Sequence, residues 1–214
     1  MVKMIPYFVT YIIFTIIALS NNRKLLSNKI LWSVSCIYLV FFIGFRQEVG
    51  GDWWTYLSSF ENVNNLSIEF ILLHSDIGYH AINLLISNLD LSIHFVNLIC
   101  AIIFMYGLAK FAKCENNQWL IILIALPYTI NIVAMGYTRQ AVALGLILLS
   151  IVALREKKLL KFVIIIIIAA TFHKTTIIIM GLGIFISGKG KVLKNYSNKF
   201  NRDRFISSLF ITTN

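Results

Sequence analysis

The alternation of long apolar runs with short basic loops constrains this chain more than any single motif. Residues 5–20, 30–45, 93–109, 119–134 and 138–154 are each dominated by apolar side chains. Runs of this kind approach the roughly 20 residues that cross a bilayer as a helix. Lipid admits backbone only where its hydrogen bonds close within the segment, as they do in a helix. A soluble domain of 214 residues with 58% hydrophobic and only 13% charged side chains would have nowhere to bury the excess. The expected fold is therefore all-α, a polytopic transmembrane helical bundle.

Charge then orients the runs. A net charge of +10 in a soluble chain would point to nucleic acid. Here it matches the excess of Lys and Arg that cytoplasmic loops carry, and no nucleic-acid partner is expected. The loop 21–29 holds Arg23, Lys24 and Lys29 without an acid, and the turn after residue 154 holds Arg155, Lys157 and Lys158. Both are expected inside, which puts the N-terminus outside. Segment 46–76 sets Glu48, Asp52, Glu61, Glu69 and Asp76 against the single base Arg46, as suits an external loop. Of the 19 Lys and Arg residues only Lys3, Arg46, Arg139 and Lys174 then fall outside. Residues 77–89 place Ile82, Leu85, Ile86 and Leu89 at helical spacing among polar side chains, which reads as an interfacial or re-entrant outer helix.

The arms 162–172 and 175–187 flank His173-Lys174. One long span would bury the lysine at its middle, a costly placement. Two short helices meeting at an external turn keep the charge near water and leave Lys161 and Lys189 both inside. The total is about seven spans. The expected domains are a transmembrane region, 1–188, and a basic cytoplasmic tail, 189–214. Pro6 suits a first helical turn and Pro127 a kink. Cys36 and Cys100 lie in apolar runs and Cys114 on a basic loop, so no disulfide framework is expected. The first run lacks a small-residue cleavage site and reads as a retained span.

Two polar stretches interrupt this scheme on the outer side. One runs Gly44-Phe45-Arg46-Gln47-Glu48-Val49-Gly50-Gly51-Asp52-Trp53-Trp54-Thr55-Tyr56, and the other is Arg139-Gln140. Each residue has an ordinary reading. The arginines serve as snorkelling anchors, the aromatics form an interfacial belt, the acids are solvated, and His173 caps a helix end. Together, however, three separate loops bring Arg-Gln, Arg-Gln and His to one side. Permanently charged, forked guanidiniums suit a phosphate oxyanion, and a membrane setting makes that a lipid-linked phosphate or pyrophosphate. The four histidines are far apart without metal-site spacing, and no Walker or dinucleotide glycine pattern occurs. No metal or cofactor is expected.

Gly44-Phe45-Arg46 with Gly51-Asp52 and Tyr56, then Gly78-Tyr79, Arg139-Gln140-Ala141-Val142-Ala143 and Phe172-His173-Lys174-Thr175-Thr176 resemble the EpsG family of exopolysaccharide and capsule synthesis, related to Wzy-type polysaccharide polymerases. The resemblance spans nearly all of residues 5–187. It implies a glycosyltransferase-type polymerase that joins undecaprenyl-pyrophosphate-linked oligosaccharide repeat units at the outer face of the cytoplasmic membrane. Members are usually longer, so the resemblance also implies a C-terminally truncated chain of impaired activity. The roles it implies are Arg46 and Arg139 stabilising the pyrophosphate leaving group, and His173 or Asp52 as general base. Gln47, Gln140 and Lys174 would bind substrate, Gly50 and Gly51 would give close backbone approach, and Trp53, Trp54 and Tyr56 would stack on sugar rings. Membrane lipid and the pathway's flippase and chain-length regulator are the implied partners.

Two other classes fit the same residues: a flippase-like carrier of lipid-linked saccharide, and a non-catalytic partner in a capsule-synthesis complex. A carrier places polar groups near the midplane of several spans. Here the charges crowd one rim, which favours chemistry on a headgroup.

Overall fold

The computed structural model describes residues 4–65 and 76–181. The chain divides into two units, Met1–Ile177 and Ile178–Asn214, and every element named below belongs to the first. The expected tail 189–214 and residues 182–187 of the arm 175–187 lie outside the described residues.

Among the described residues all regular structure is helical. The helices are α1 (Ile5–Ala18), α2 (Arg23–Leu26), α3 (Lys29–Gly44), α4 (Trp53–Glu61), α5 (Ile77–Ser87), α6 (Ile93–Ala112), α7 (Gln118–Ala134), α8 (Thr138–Arg155) and α9 (Leu159–Phe172). Short 3-10 turns follow α4 at Val63–Asn65 and α9 at Lys174–Ile177. Local sequence sets most boundaries. Asn22, Asn28 and Asn117 each accept two backbone N–H bonds at the starts of α2, α3 and α7. Pro6 sits in the first turn of α1, as expected. At Pro127 the helix changes character. From Leu126 to Ala134 the chain of α7 is π-helical, with the proline in its first turn.

Two helices, Ile93–Ala112 and Thr138–Arg155, are long and apolar enough to cross a membrane. The others are shorter: α1 and α9 have 14 residues each, about 21 Å of helix against a hydrocarbon core of about 30 Å. The helix expected over 162–172 begins earlier, at Leu159, and breaks at His173, where the backbone is extended.

The core is apolar, but the outer surface is apolar as well and several polar side chains lie inside. Phe8, Ile16, Ile30, Ile124 and Leu160 are exposed, whereas Thr10, Asn83, Asn97, Thr138 and Ser150 are buried. Helix α5 shows the pattern best. It buries Tyr79, His80, Asn83 and Ile86 and exposes Ile77, Leu85 and Leu89. Apolar side chains that face outward while amides face inward are what a lipid solvent selects.

Helices α6 and α8 form the centre and approach to backbone contact. A Cβ on Gly107 would lie 1.8 Å from the Gly145 carbonyl oxygen, and one on Gly145 would lie 2.5 Å from the Phe104 Cα. Small residues are the usual means of such close crossing in membranes. At one end Trp119 is wholly buried, stacks edge-on against Trp32 at 5.1 Å and donates its indole N–H to the Leu26 carbonyl at 2.9 Å. The Arg155–Glu115 ion pair (2.7 Å) ties α8 to the loop after α6 at that same end. The opposite end gathers the C-terminus of α3, the N-termini of α5, α6 and α8 and the C-terminus of α9.

Candidate functional site

The loop 45–52 reaches that end by crossing the α7–α8 break. Gly50 has a left-handed φ of 97°, and a Cβ there would lie 2.4 Å from the Gly136 Cα. Its missing side chain is thus used for packing one backbone on another. Gly51 has no atom within 4 Å of a Cβ position, so it faces open space. Of the expected glycine pair, only Gly51 is placed where a ligand has room.

The two Arg-Gln motifs diverge. Arg46 is buried. Its Nη1 donates to the carbonyls of Ile43 (3.2 Å) and Ala134 (3.3 Å), and its Nη2 donates to Asn97 Oδ1 (3.1 Å) and to the Thr138 hydroxyl. The void beside it, bounded by Asn97, Cys100 and Phe104, has no room for a water molecule. Among the described residues this permanent cation is held without a carboxylate, by the carbonyl ends of α3 and α7 and two neutral side chains. Helix C-termini carry the negative end of the macrodipole, which is the compensation that such a charge requires. Arg46 ties α3, α6, α7 and α8 together at one point.

Arg139 lies in the first turn of α8, where the dipole is positive and a cation is disfavoured. Asp76 supplies the missing charge: Nη1 donates to its Oδ2 at 2.9 Å, with the arginine side chain 37% exposed and the aspartate 12%. Asp76 caps α5 by backbone conformation only, since its carboxylate makes no cap bond. The guanidinium lies over the Tyr56 ring at 5.4 Å and is within hydrogen-bonding reach of the Tyr56 side chain. Tyr56 is itself buried and packs on Tyr79 at 5.3 Å. Burial pushes the Tyr56 hydroxyl above its usual range, against the pull of Arg139.

The remaining expected residues are distributed as follows. Asp52 is half-buried at the start of α4, and its carbonyl accepts from Tyr56 N at 2.9 Å, which puts it one turn from the Arg139 cluster. Trp53 is buried and tilted against His94 at 5.9 Å, so the exposed Trp54 is the aromatic of this pair that presents a face. Gln47 and Gln140 are exposed, and their side chains make no hydrogen bond among the described residues. His173 caps α9, and its ring makes no hydrogen bond among the described residues. The preceding turn packs on α5, where a Cβ on Gly78 would lie 2.5 Å from Thr171 Oγ1 and 2.8 Å from the Phe172 ring. Lys174 follows, exposed, in the 3-10 turn.

Sequence reading missed Asp76, His80 and Asn83 as members of this group, and Asn97 and Thr138 as the partners of Arg46. Asn97 was visible as an amide inside an apolar run, a signal that calls for a partner. His80 and Asn83 share one helix face with Tyr79 and Ile86. Neither Asn83 amide atom nor His80 Nδ1 has a hydrogen bond of normal geometry among the described residues, although both side chains are buried. Burial, then the nearby Arg139 charge, lowers the His80 pKa, partly opposed by Asp76.

That shift has a testable sign. Above about pH 6.5 the ring is neutral in both folded and unfolded chains and pH has no leverage through it. Below that value the unfolded chain takes up a proton that the folded one resists, so stability falls as pH drops. Thermal unfolding in detergent should show a loss between pH 7.5 and 5.5 that His80→Gln reduces. An unchanged pH dependence in that variant would remove His80 as its source.

Neither the curated proteins nor the solved structures include a match to this chain. A family model described as the EpsG family matches residues 29–201, which takes in α3 to α9 and every residue of the cluster above. That match covers most of the sequence and associates it with membrane proteins of exopolysaccharide biosynthesis. The chain belongs to the EpsG family.

Proposed function

We propose that the protein is a multi-pass polysaccharide polymerase of the bacterial cytoplasmic membrane. It joins undecaprenyl-pyrophosphate-linked oligosaccharide repeat units at the outer face, with its N-terminus outside and the Arg155–Lys158 end in the cytoplasm. The observation that carries this reading is Arg139. It is a half-exposed guanidinium, oriented by Asp76 and backed by Tyr56, with donors left over at a helix N-terminus. Such a group recognises an anionic headgroup through a bidentate contact.

In the reaction, a sugar hydroxyl of the acceptor attacks the anomeric carbon of the donor glycan and the pyrophosphate leaves. Arg139 would stabilise the charge that develops on that leaving group. Asp52 or His173 would accept the hydroxyl proton, and Trp54 and Gly51 would border the saccharide. Arg46 acts as a positioning residue, because it is buried and both of its terminal nitrogens donate to protein acceptors.

The test is Arg139→Lys. Lysine keeps the charge and loses the planar fork. In liposomes supplied with lipid-linked repeat units, chain lengthening should fall about 100-fold with the protein level and melting temperature unchanged. Unaltered lengthening would return Arg139 to an anchoring role. Transbilayer movement of the lipid without any lengthening by the unmutated protein would favour a carrier.

A further inference from the structure

Helices α3 and α6 meet closely at one end only. A Cβ on Gly44 would lie 2.8 Å from the Leu98 Cα, so the backbones touch there. Toward the other end the buried Trp32 and Met105 line an open groove between the helices. This groove has a volume of about 310 Å³ and contains no acidic residue among its lining. Its walls are apolar and open to the surroundings, with Ile37 54% exposed, Ile102 50% and Tyr106 54%. Its mouth is cationic. Lys110 in the last turn of α6 and Lys113 at its C-cap lie three residues apart, and both line it. The Lys110 ammonium sits 5.6 Å from the Tyr106 ring centroid. Neither lysine forms a salt bridge among the described residues.

We propose that this groove is a binding site for one anionic phospholipid. An acyl chain would lie between Ile37, Val40 and Ile102, and the phosphate would sit between Lys110 and Lys113. The combination of features selects that occupant. An apolar slot alone would accept any lipid chain, and two surface lysines alone would be snorkelling anchors. An open apolar slot that ends in two lysines, neither in a salt bridge among the described residues, matches a molecule apolar along its length and anionic at its end. Basic pockets between membrane helices take anionic headgroups for this reason. The slot runs along the α3–α6 pair whose backbones touch at Gly44 and Leu98. It lies at the opposite end of α6 from Arg46 and Asn97 and does not depend on the polymerase reading.

The experiment is native mass spectrometry of the purified protein in a mixture of phosphatidylglycerol and phosphatidylcholine with identical chains. The unmutated protein should retain one phosphatidylglycerol about tenfold more than phosphatidylcholine. Lys110→Gln with Lys113→Gln should abolish that preference. Ile102→Trp, a change at an exposed wall, should evict the lipid while leaving both lysines in place. Lys157→Gln with Lys161→Gln removes the same charge at the α8–α9 turn and should leave the preference intact. Equal retention of the two lipids by the unmutated protein would overturn the proposal. So would an equal loss in the α8–α9 variant, which would mean diffuse attraction to the basic end, or a preference that survives removal of Lys110 and Lys113.

Discussion

Gly107→Ala should prevent the central pair, α6 and α8, from closing, and should abolish a well-folded protein in detergent. The added methyl would sit 1.8 Å from the Gly145 carbonyl oxygen and 2.5 Å from its carbon. Both are backbone atoms of a helix, so no side-chain rotation relieves the overlap, and the axes must separate. In an exposed helix the same substitution would gain about 1 kcal/mol from helix propensity. Against this stands overpacking, typically about 1–3 kcal/mol and more where the obstacle is rigid. Separating α6 from α8 also disturbs Asn97 and Thr138, which lie on those two helices and share Arg46. The steric term therefore wins. Fluorescence-detected size exclusion should show a loss of the monodisperse peak, or a fall of well over 5 °C in melting temperature. Cys36→Ser, a change at the half-buried α3 face, serves as the mild comparison. A Gly107→Ala protein that melts with the unmutated one would show that the helices cross more loosely than this.

Much of the fold was legible because it rests on local chemistry. The asparagines at 22, 28 and 117 announce helix starts, Pro6 sits where its missing N–H costs nothing, and the apolar runs mark the helices. The break after Phe172 was legible from His173-Lys174. Three things were not. The close pair Gly107–Gly145 depends on which faces of two distant segments meet, and an isolated glycine in an apolar run carries no mark of its partner. The orientation of α5 was also hidden, because hydrophobic periodicity reports which side chains cluster and not which side the solvent is on. Its Ile and Leu stripe is only partly turned inward: Ile86 is buried, while Leu85 and Leu89 face out. The third concerns the site, where Arg46 and Arg139 look alike in the sequence, each followed by glutamine at the edge of an apolar run. Their helix positions differ, however. Arg46 follows a helix and meets its carbonyls, whereas Arg139 opens one and meets its N–H groups, so only Arg139 needs an external acid. Asp76 answers that need across 63 residues of sequence, a distance no local pattern spans.

This asymmetry leads to the sharpest separation between the two arginines. Arg46→Met should destabilise the protein strongly, by about 4 kcal/mol, since it strands several buried acceptors at once and each costs about 1–3 kcal/mol when unmatched. The acceptors are the carbonyls of Ile43 and Ala134, the Asn97 amide oxygen and the Thr138 hydroxyl. Arg46→Lys should fall between, because one ammonium on a shorter reach cannot span four partners on four helices. The loss should therefore appear as lowered melting temperature and lowered polymer output together. Arg139→Lys should behave oppositely, with output reduced and melting temperature kept, because its side chain is 37% exposed and its pairing with Asp76 survives the change. Measuring both quantities for both lysine variants in the same liposome and detergent preparations gives four numbers. An Arg46→Lys protein with full thermal stability and no polymer would move Arg46 into direct contact with the substrate. It would also mean that the guanidinium leaves its buried clamp when lipid pyrophosphate binds.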